Sequence, residues 1–274
     1  MKKGLLSIII VTYNNEDHIK DCLQSIAAQI GVAYEVVIID NCSSDRTIQK
    51  VQESKIPIKI IPQEKNLGFA KANNIAVLRT KSDYLLFLNP DTKFLRNDSL
   101  MQLKETLVKN PNFGIASPQL ILTDGSIQKT TRNLPTVFRA FTEYVLGIKG
   151  TFDFFLPPAS GFIEVESVTG ACIMIKRDVF IRAGKFNEKY FMYFEDLELC
   201  KKVRELKLQV GYDPQVKIKH IMGASGKGKD TFSMSAISAR KYHGFLSYYI
   251  IQCILTPQRI MNRLRQFLPA DAKN

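Results

Sequence analysis

Apolar runs of strand length, each closing on polar side chains, alternate with stretches of helical periodicity through the first half of the chain. "LLSIIIVTY" opens the series. "NNEDHIKDCLQSIAAQI" follows, with Ile19, Cys22, Leu23, Ile26, Ala27 and Ile30 at helical spacing behind asparagine and acidic capping residues. "YEVVIIDNCSSDRT" predicts a second buried strand, "IPIKIIPQ" a shorter third, and "GFAKANNIAVLRT" a helix. "DYLLFLNPDT" is the fourth strand and "DSLMQLKETLVKN" the helix after it. Strands apolar on both faces and separated by helices imply a mostly parallel α/β sheet covered on both sides.

The second half is less regular. "GIASPQLILTDGSIQ" suggests strands around an Asp-Gly turn, and residues 132–160, with Pro135, Pro157 and Pro158, form a connecting region. "VESVTGACIMIKRDVFIRAG" reads as a strand and a short helix ended by Gly184. "FEDLELCKKVRELKL" is helical, "VKIKH" extended and "MGASGKGKD" a loop. The pattern gives one domain over residues 1–235 and a helical appendage over 236–274.

In a parallel sheet, ligands bind in the crevice outside the carboxyl ends of the strands. Three runs end in polar clusters, which puts Thr12 and Asn14, Asp40 and Asn41, and Asn89 and Asp91 on one rim. A single such cluster is ordinarily a turn or helix cap. Three converging on one edge point to a site. Its chemistry is oxygen-rich and sulfur-free, and Asp91 with Asn89 offers the hard ligands that suit magnesium or manganese bridging substrate phosphates.

Composition narrows the partners. Lys and Arg outnumber Asp and Glu 38 to 26 over 274 residues, a net charge of +12 that favours anionic ligands or surfaces. No recognised nucleic-acid motif accompanies the charge, so nucleic acid is not expected. The five cysteines show no paired spacing, so neither zinc nor a disulfide framework is indicated, and a reducing compartment is expected. "MKKGLLSIIIVTYNN" mimics a signal peptide, but polar "TYNNED" follows without a cleavage site, so a first strand is expected. No apolar run reaches membrane-spanning length.

The segments "SIIIVTYNNEDHIKDCLQSIAAQ", "EVVIIDNCSSDRT", "NLGFAKANNIA", "LFLNPD", "VTGACIMIKRDVFIRAGKFNEKYFMYFEDLELCKKV" and "KHIMGAS" together resemble the family 2 glycosyltransferases of Rossmann-like glycosyltransferase A fold. "NLGFAKANN", "LNPD" and "YFEDLELC" are similar to bacterial rhamnosyltransferases of surface-polysaccharide assembly. The resemblance implies a nucleotide-sugar half near 1–125 and an acceptor and base half near 126–235. It implies that Thr12 and Asn14 border the nucleotide and that Asp40, beside Asn41, accepts from the pyrimidine. Asn66, Lys71 and Asn73 would face the donor sugar or phosphates. Asp91 would ligate the metal, joined by His220. Asn89 stands where many members carry a first Asp, which removes one negative charge. Glu195 and Asp196 start a helix, where carboxylates are favoured. The resemblance makes Asp196 the general base and Glu195 its orienting neighbour, with Thr169, Gly170 and Ala171 flooring the acceptor pocket.

"GASGKGKDT" nearly spells a phosphate-binding P-loop, but Asp230 replaces its metal-binding hydroxyl. The segment reads instead as a Gly/Lys loop whose Lys227 and Lys229 could close over a diphosphate. Along the tail, Arg259, Arg263 and Arg265 interleave with apolar residues, the pattern of a helix lying on an anionic membrane. The alternative is a helix packed on the domain. The expectation is an inverting transferase using a divalent metal and a nucleoside-diphosphate sugar, foremost dTDP-L-rhamnose. It would act on a lipid-linked or polysaccharide acceptor from the cytoplasmic side of the membrane. Alternatives are a UDP-hexose donor (galactose, glucose or N-acetylglucosamine), or a nucleotide-sugar-binding module without turnover.

Overall fold

In the computed structural model, which describes residues 4–158, 160–221 and 230–266, strands and helices alternate as the pattern requires. The order begins β1 (Leu6–Thr12), α1 (Ile19–Ala27), β2 (Tyr34–Asp40), α2 (Thr47–Gln52), β3 (Ile58–Pro62) and α3 (Phe69–Val77). It continues with β4 (Tyr84–Leu88), β5 (Thr92–Phe94), α4 (Ser99–Lys109), β6 (Phe113–Ile121), β7 (Thr131–Arg132) and α5 (Val137–Tyr144). Then come β8 (Ile163–Val165), β9 (Ser167–Val168), β10 (Cys172–Lys176), α6 (Arg177–Arg182), α7 (Glu195–Glu205) and β11 (Gln209–His220). Two helices, α8 (Thr231–His243) and α9 (Phe245–Gln266), close the described chain.

The nine-stranded sheet runs β3-β2-β1-β4-β10-β6-β11-β5, with β8 also on β11. Neighbours β3, β2, β1 and β4 are parallel, as are β6 and β11. Side chains alternate between two cores. Ile8, Ile10, Leu86 and Leu88 face α1 and α4, while Ile9, Leu85 and Phe87 face α3, α6 and α7. Both faces are dry, which is why the strands read as continuous apolar runs.

Two antiparallel insertions position the site. β10 enters between β4 and β6 with Cys172 opposite Leu88, and Asn89 N–H donates to the Ala171 carbonyl at 2.9 Å. The turn Thr169–Ala171 is thereby laid beside the tip of β4. β5 folds back on the end of β11 so that His220 pairs with Thr92, and Ile221 N–H donates to the Asp91 carbonyl. The apolar pattern predicts neither the direction of β10 nor the short strands β5 and β8, because direction and edge pairing are set by partners distant in sequence.

The boundary expected at 235 falls inside α8, which runs on to a break at Gly244. The tail then packs on the domain: Ile251 and Leu255 of α9 join Ala140 of α5 and Phe152 in a third, smaller core. Leu246, Tyr249, Ile250, Ile260 and Met261 stay exposed on the other side of α9. Among the described residues no helix is long and apolar enough to cross a membrane. Lys227, Lys229 and the side chains of Arg263 and Arg265 lie outside what is described.

Candidate active site

At the carboxyl edge of the sheet lies a cavity of about 840 Å³, whose lining includes Asn41, Asn66, Asn89, Asp91 and His220 together with Glu195 and Asp196. The loop after β2 is braced before any ligand binds. Asp40, buried, accepts from Thr12 Oγ1 at 2.7 Å and from Ser43 N–H and Oγ at 2.9 and 2.6 Å. Asn41 spans to the next loop, its Nδ2 donating to the Gly68 carbonyl and its Oδ1 accepting from Leu67 N–H. Gly68 has φ +79°, and a Cβ there would sit 2.3 Å from the Phe191 carbonyl oxygen, so no other residue fits without displacing backbone. That close approach ties the "NLGFA" loop to the segment carrying the acid pair, since Phe69 N–H also donates to the same oxygen at 2.8 Å.

Asp91 is 3% exposed, and its Oδ1 has no hydrogen-bond partner. His220 Nε2 faces that oxygen at 3.6 Å, while its Nδ1 contacts Gln128 Oε1 at 2.7 Å. With Gln128 Oε1 accepting, the ring hydrogen sits on Nδ1, and Nε2 turns a lone pair toward the Asp91 oxygen. Two lone pairs facing each other across that gap fit a shared cation. A histidine whose other ring nitrogen is held by a hydrogen bond is a common metal ligand. Among the described residues no third His, Cys, Asp or Glu joins the pair, so a magnesium or manganese ion here would draw its remaining ligands from water and substrate phosphate.

The acid pair is built under strain. Tyr193 and Phe194 both adopt left-handed backbone, φ 71° and 70°, immediately before α7. Such conformations cost about 1–3 kcal/mol each and persist where the surroundings enforce them, commonly at functional sites. They bring Glu195 and Asp196 to the helix N-terminus facing the cavity. Asp196 accepts from Gly170 N–H at 2.8 Å and from Leu197 N–H at 2.8 Å. Glu195 Oε2 is buried without a partner. Burial raises both carboxyls, and the Asp196 charge raises Glu195 further; backbone N–H groups counter the rise at both, more of them at Asp196 than at Glu195. Glu195 is therefore the acid pushed well up, and Asp196 is the better placed of the two to hold the charge.

A proton held on Glu195 has a consequence for stability. Below the ordinary glutamate value of 4.5, folded and unfolded chains both hold it. Above that value the unfolded chain releases it while the folded chain keeps it. Stability then falls by about 1.4 kcal/mol per pH unit until the raised pKa is passed. Glu195→Gln removes this slope. Its Tm is expected to exceed that of the unsubstituted protein at pH 7, with the difference vanishing near pH 4. Equal melting curves at both pH values would show that Glu195 is ionised in the fold.

Of the residues singled out from sequence, Asn41, Asn66, Asn89, Asp91, Glu195, Asp196 and His220 line one cavity, together with Thr169, Gly170 and Ala171. Thr12 and Asp40 stand behind the wall as a buried pair. Asn14 is exposed, and its Oδ1 accepts from Ser44 N–H, so it shapes the loop rather than the cavity lining. Lys71 lies exposed on α3 outside the lining, and Asn73 is buried with its amide on the Phe69 carbonyl. Helical phase turns Lys71 to solvent and Asn73 into the protein, so neither joins the cavity lining. The sequence reading missed Tyr13, Asn15, Gln128, Lys129 and Arg132, which also line the cavity. Asn15 could have been found from its place after β1, and its buried Nδ2 is unpartnered. Residues 128–132 carry no motif, and they are brought in by the β7–β9 pairing and by Gln128 N–H donating to the Leu120 carbonyl.

A cavity of this size at the strand ends, with the Asp91–His220 gap on one wall and the Glu195–Asp196 pair on another, fits a glycosyltransferase of the glycosyltransferase A fold. Residues 7–184 match the Glycosyl transferase family 2, and the chain belongs to that family. It is 25% identical over 263 residues to the N-acetylglucosaminyl-diphospho-decaprenol L-rhamnosyltransferase of Mycobacterium tuberculosis, covering 89% of this chain and 84% of that one. It is 27% identical over 221 residues to the rhamnosyltransferase WbbL of Escherichia coli K12, covering 77% and 81%. It is also 30% identical over 215 residues to the low-salt glycan biosynthesis hexosyltransferase Agl10 of Haloferax volcanii, covering 75% and 64%. Among solved structures, the mannosyltransferase PcManGT of Pyrobaculum calidifontis, in complex with GDP-Man and Mn2+, superposes with TM-score 0.60 at 16% identity, over 88% of this chain and 62% of that one. Staphylococcus aureus TarS 1–349 gives 0.58 at 17% identity, over 97% and 76%.

Proposed function

We propose that the protein is an inverting rhamnosyltransferase, moving L-rhamnose from dTDP-L-rhamnose to a lipid-linked or polysaccharide acceptor in cell-surface glycan assembly. The single observation that carries the transfer chemistry is the acid pair at the start of α7 facing the cavity, with Asp196 held by two N–H donors and Glu195 Oε2 buried without a partner beside it. The rhamnose assignment draws on the mycobacterial and E. coli relatives, both named rhamnosyltransferases over most of their length.

The acceptor hydroxyl lies against Asp196, which takes its proton as the oxygen forms its bond to the anomeric carbon. The bond from that carbon to the diphosphate oxygen breaks on the opposite face, so the anomeric centre inverts and the nucleoside diphosphate departs. Asp91 and His220 would hold a divalent cation, which would neutralise charge on the diphosphate. Asp40, fixed by Thr12 and Ser43, keeps acceptor capacity on Oδ2 for a pyrimidine N–H. Asn66 and Asn89 line the donor side between them. A UDP-hexose donor is the second reading, since Asp40 would accept equally from uracil and thymine.

A melting-temperature screen against nucleotide sugars with and without manganese tests this reading. The largest metal-dependent rise is expected with dTDP-L-rhamnose, followed by release of dTDP from it. A larger response to a UDP-hexose would replace the donor, and no response to any sugar nucleotide would reject the transfer reading.

We also place the protein on the inner membrane face. The support is the net charge of +12 and the exposed apolar stripe of α9, whose opposite side is already committed to α5. Changing Arg259, Arg263 and Arg265 to Glu should abolish sedimentation with anionic vesicles and leave Tm unchanged. Equal sedimentation by both proteins would refute the placement.

A further inference from the structure

Arg132 is a cation with little to do inside the protein. Its Nε donates to the Phe152 carbonyl at 2.7 Å, and its guanidinium carbon lies 4.7 Å from the Phe152 ring centre and 5.3 Å from that of Phe154. Among the described residues neither Nη group has a hydrogen-bond partner, and no carboxylate forms an ion pair with it. The acids whose charge reaches it are engaged elsewhere: Asp153 accepts from the Tyr144 hydroxyl at 2.6 Å, and Asp196 accepts from backbone N–H groups. His243 nearby is held neutral, its pKa pushed to about 4 by burial and by the guanidinium itself.

The place of this residue is as informative as its state. A second cavity, about 390 Å³, lies between α5, α8 and α9, and it shares Arg132, Phe154, Phe194 and Ser235 with the reaction cavity. Its remaining walls include the apolar Phe152, Phe232, Ile251 and Leu255 and the polar Tyr144, Asp153, Gln252 and Arg259. None of Asn41, Asn66, Asn89 or Asp91 touches it, so it lies away from the donor wall and joins the reaction cavity at Phe194, next to the acid pair. A guanidinium with two free Nη groups matches phosphate oxygens in planar, paired geometry, better than any neutral sugar hydroxyl. The apolar part of the lining, Phe152, Phe154, Phe232, Ile251 and Leu255, suits hydrocarbon.

The geometry points to this second cavity as the aglycone subsite of the acceptor: Arg132 binds a phosphate carried by the acceptor, and the cavity walls take the lipid attached to that phosphate. This rests on the glycosyl-transfer reading for its purpose, though binding can be measured without transfer.

The probes are farnesyl diphosphate, farnesol and inorganic pyrophosphate, titrated calorimetrically into the full chain without divalent metal. Farnesyl diphosphate is expected to bind far more tightly than farnesol. Arg132→Gln should weaken it about tenfold or more, a typical cost of losing one charged hydrogen-bonding group. Arg132→Lys should fall between the two. Phe232→Ala, at an exposed position, should weaken farnesyl diphosphate and leave pyrophosphate unchanged. Affinity for dTDP should be the same in every variant. Equal farnesyl diphosphate affinity in all of them would overturn the subsite, and so would a loss of dTDP affinity in place of farnesyl diphosphate affinity. Should Arg132→Gln fail to fold, Arg132→Lys and Phe232→Ala decide the matter on the same terms. Absence of dTDP release from dTDP-L-rhamnose would instead strike the donor reading and leave the binding result standing.

Discussion

Asp196→Asn is expected to lower turnover at saturating donor by about 10²–10⁴-fold, the usual contribution of a positioned proton acceptor. Shape is kept, but the proton has nowhere to go. Two backbone donors, Gly170 N–H and Leu197 N–H, now share one carbonyl oxygen where a carboxylate served both. Leaving one of them unpaired costs about 1–3 kcal/mol, so a drop in Tm should accompany the loss of rate. Donor affinity, read from dTDP binding, should change little, because Asp196 acts on the acceptor. The pH profile carries the sign. Burial raises Asp196 above the ordinary 3.8, so kcat/KM should rise tenfold per pH unit up to that raised value and level off beyond it. Retained turnover with collapsed donor binding would move Asp196 to the donor site.

The second large effect is expected at Asp91. Its Oδ1 is buried and unpartnered, so Asp91→Ala removes a desolvated charge, and the fold should survive with Tm unchanged or slightly raised. Manganese-dependent stabilisation by the sugar nucleotide should vanish, and transfer should fall below detection. His220→Gln should weaken manganese less, since the carboxylate charge remains. Asn89→Asp restores a second acid at the rim and should tighten manganese if both side chains reach the ion. Undiminished turnover in Asp91→Ala would dissolve the cation site altogether.

Sequence alone carried much of this architecture. Runs such as Ile8–Ile10 and Leu85–Leu88 are apolar at every position because their strands are covered on both faces, and that signal is local. The polar residues after β1, β2 and β4 were legible as one rim because parallel strands end on the same edge, a rule of topology that needs no coordinates. Asp91 follows from it, whereas Glu195 and Asp196 were read from a helix start, and the family resemblance carried over the roles of all three.

The tertiary structure decided what depends on contacts across long stretches of chain. Strand direction at β10 laid Thr169–Ala171 against Asn89, and the return of β5 onto β11 set His220 facing Asp91. Helical phase put Lys71 on an exposed face and Asn73 inside, although both look like rim residues when read along the chain. Which acid of the pair holds the charge was decided by two N–H groups, one of them from Gly170, 26 positions away. Arg132 gives no local signal, since an arginine in a two-residue strand looks like any other. Its free Nη groups and its two cavities exist only because α5, α8 and α9 close around it. Local composition fixes which residues are buried, whereas the pairing of distant segments fixes which buried residues meet.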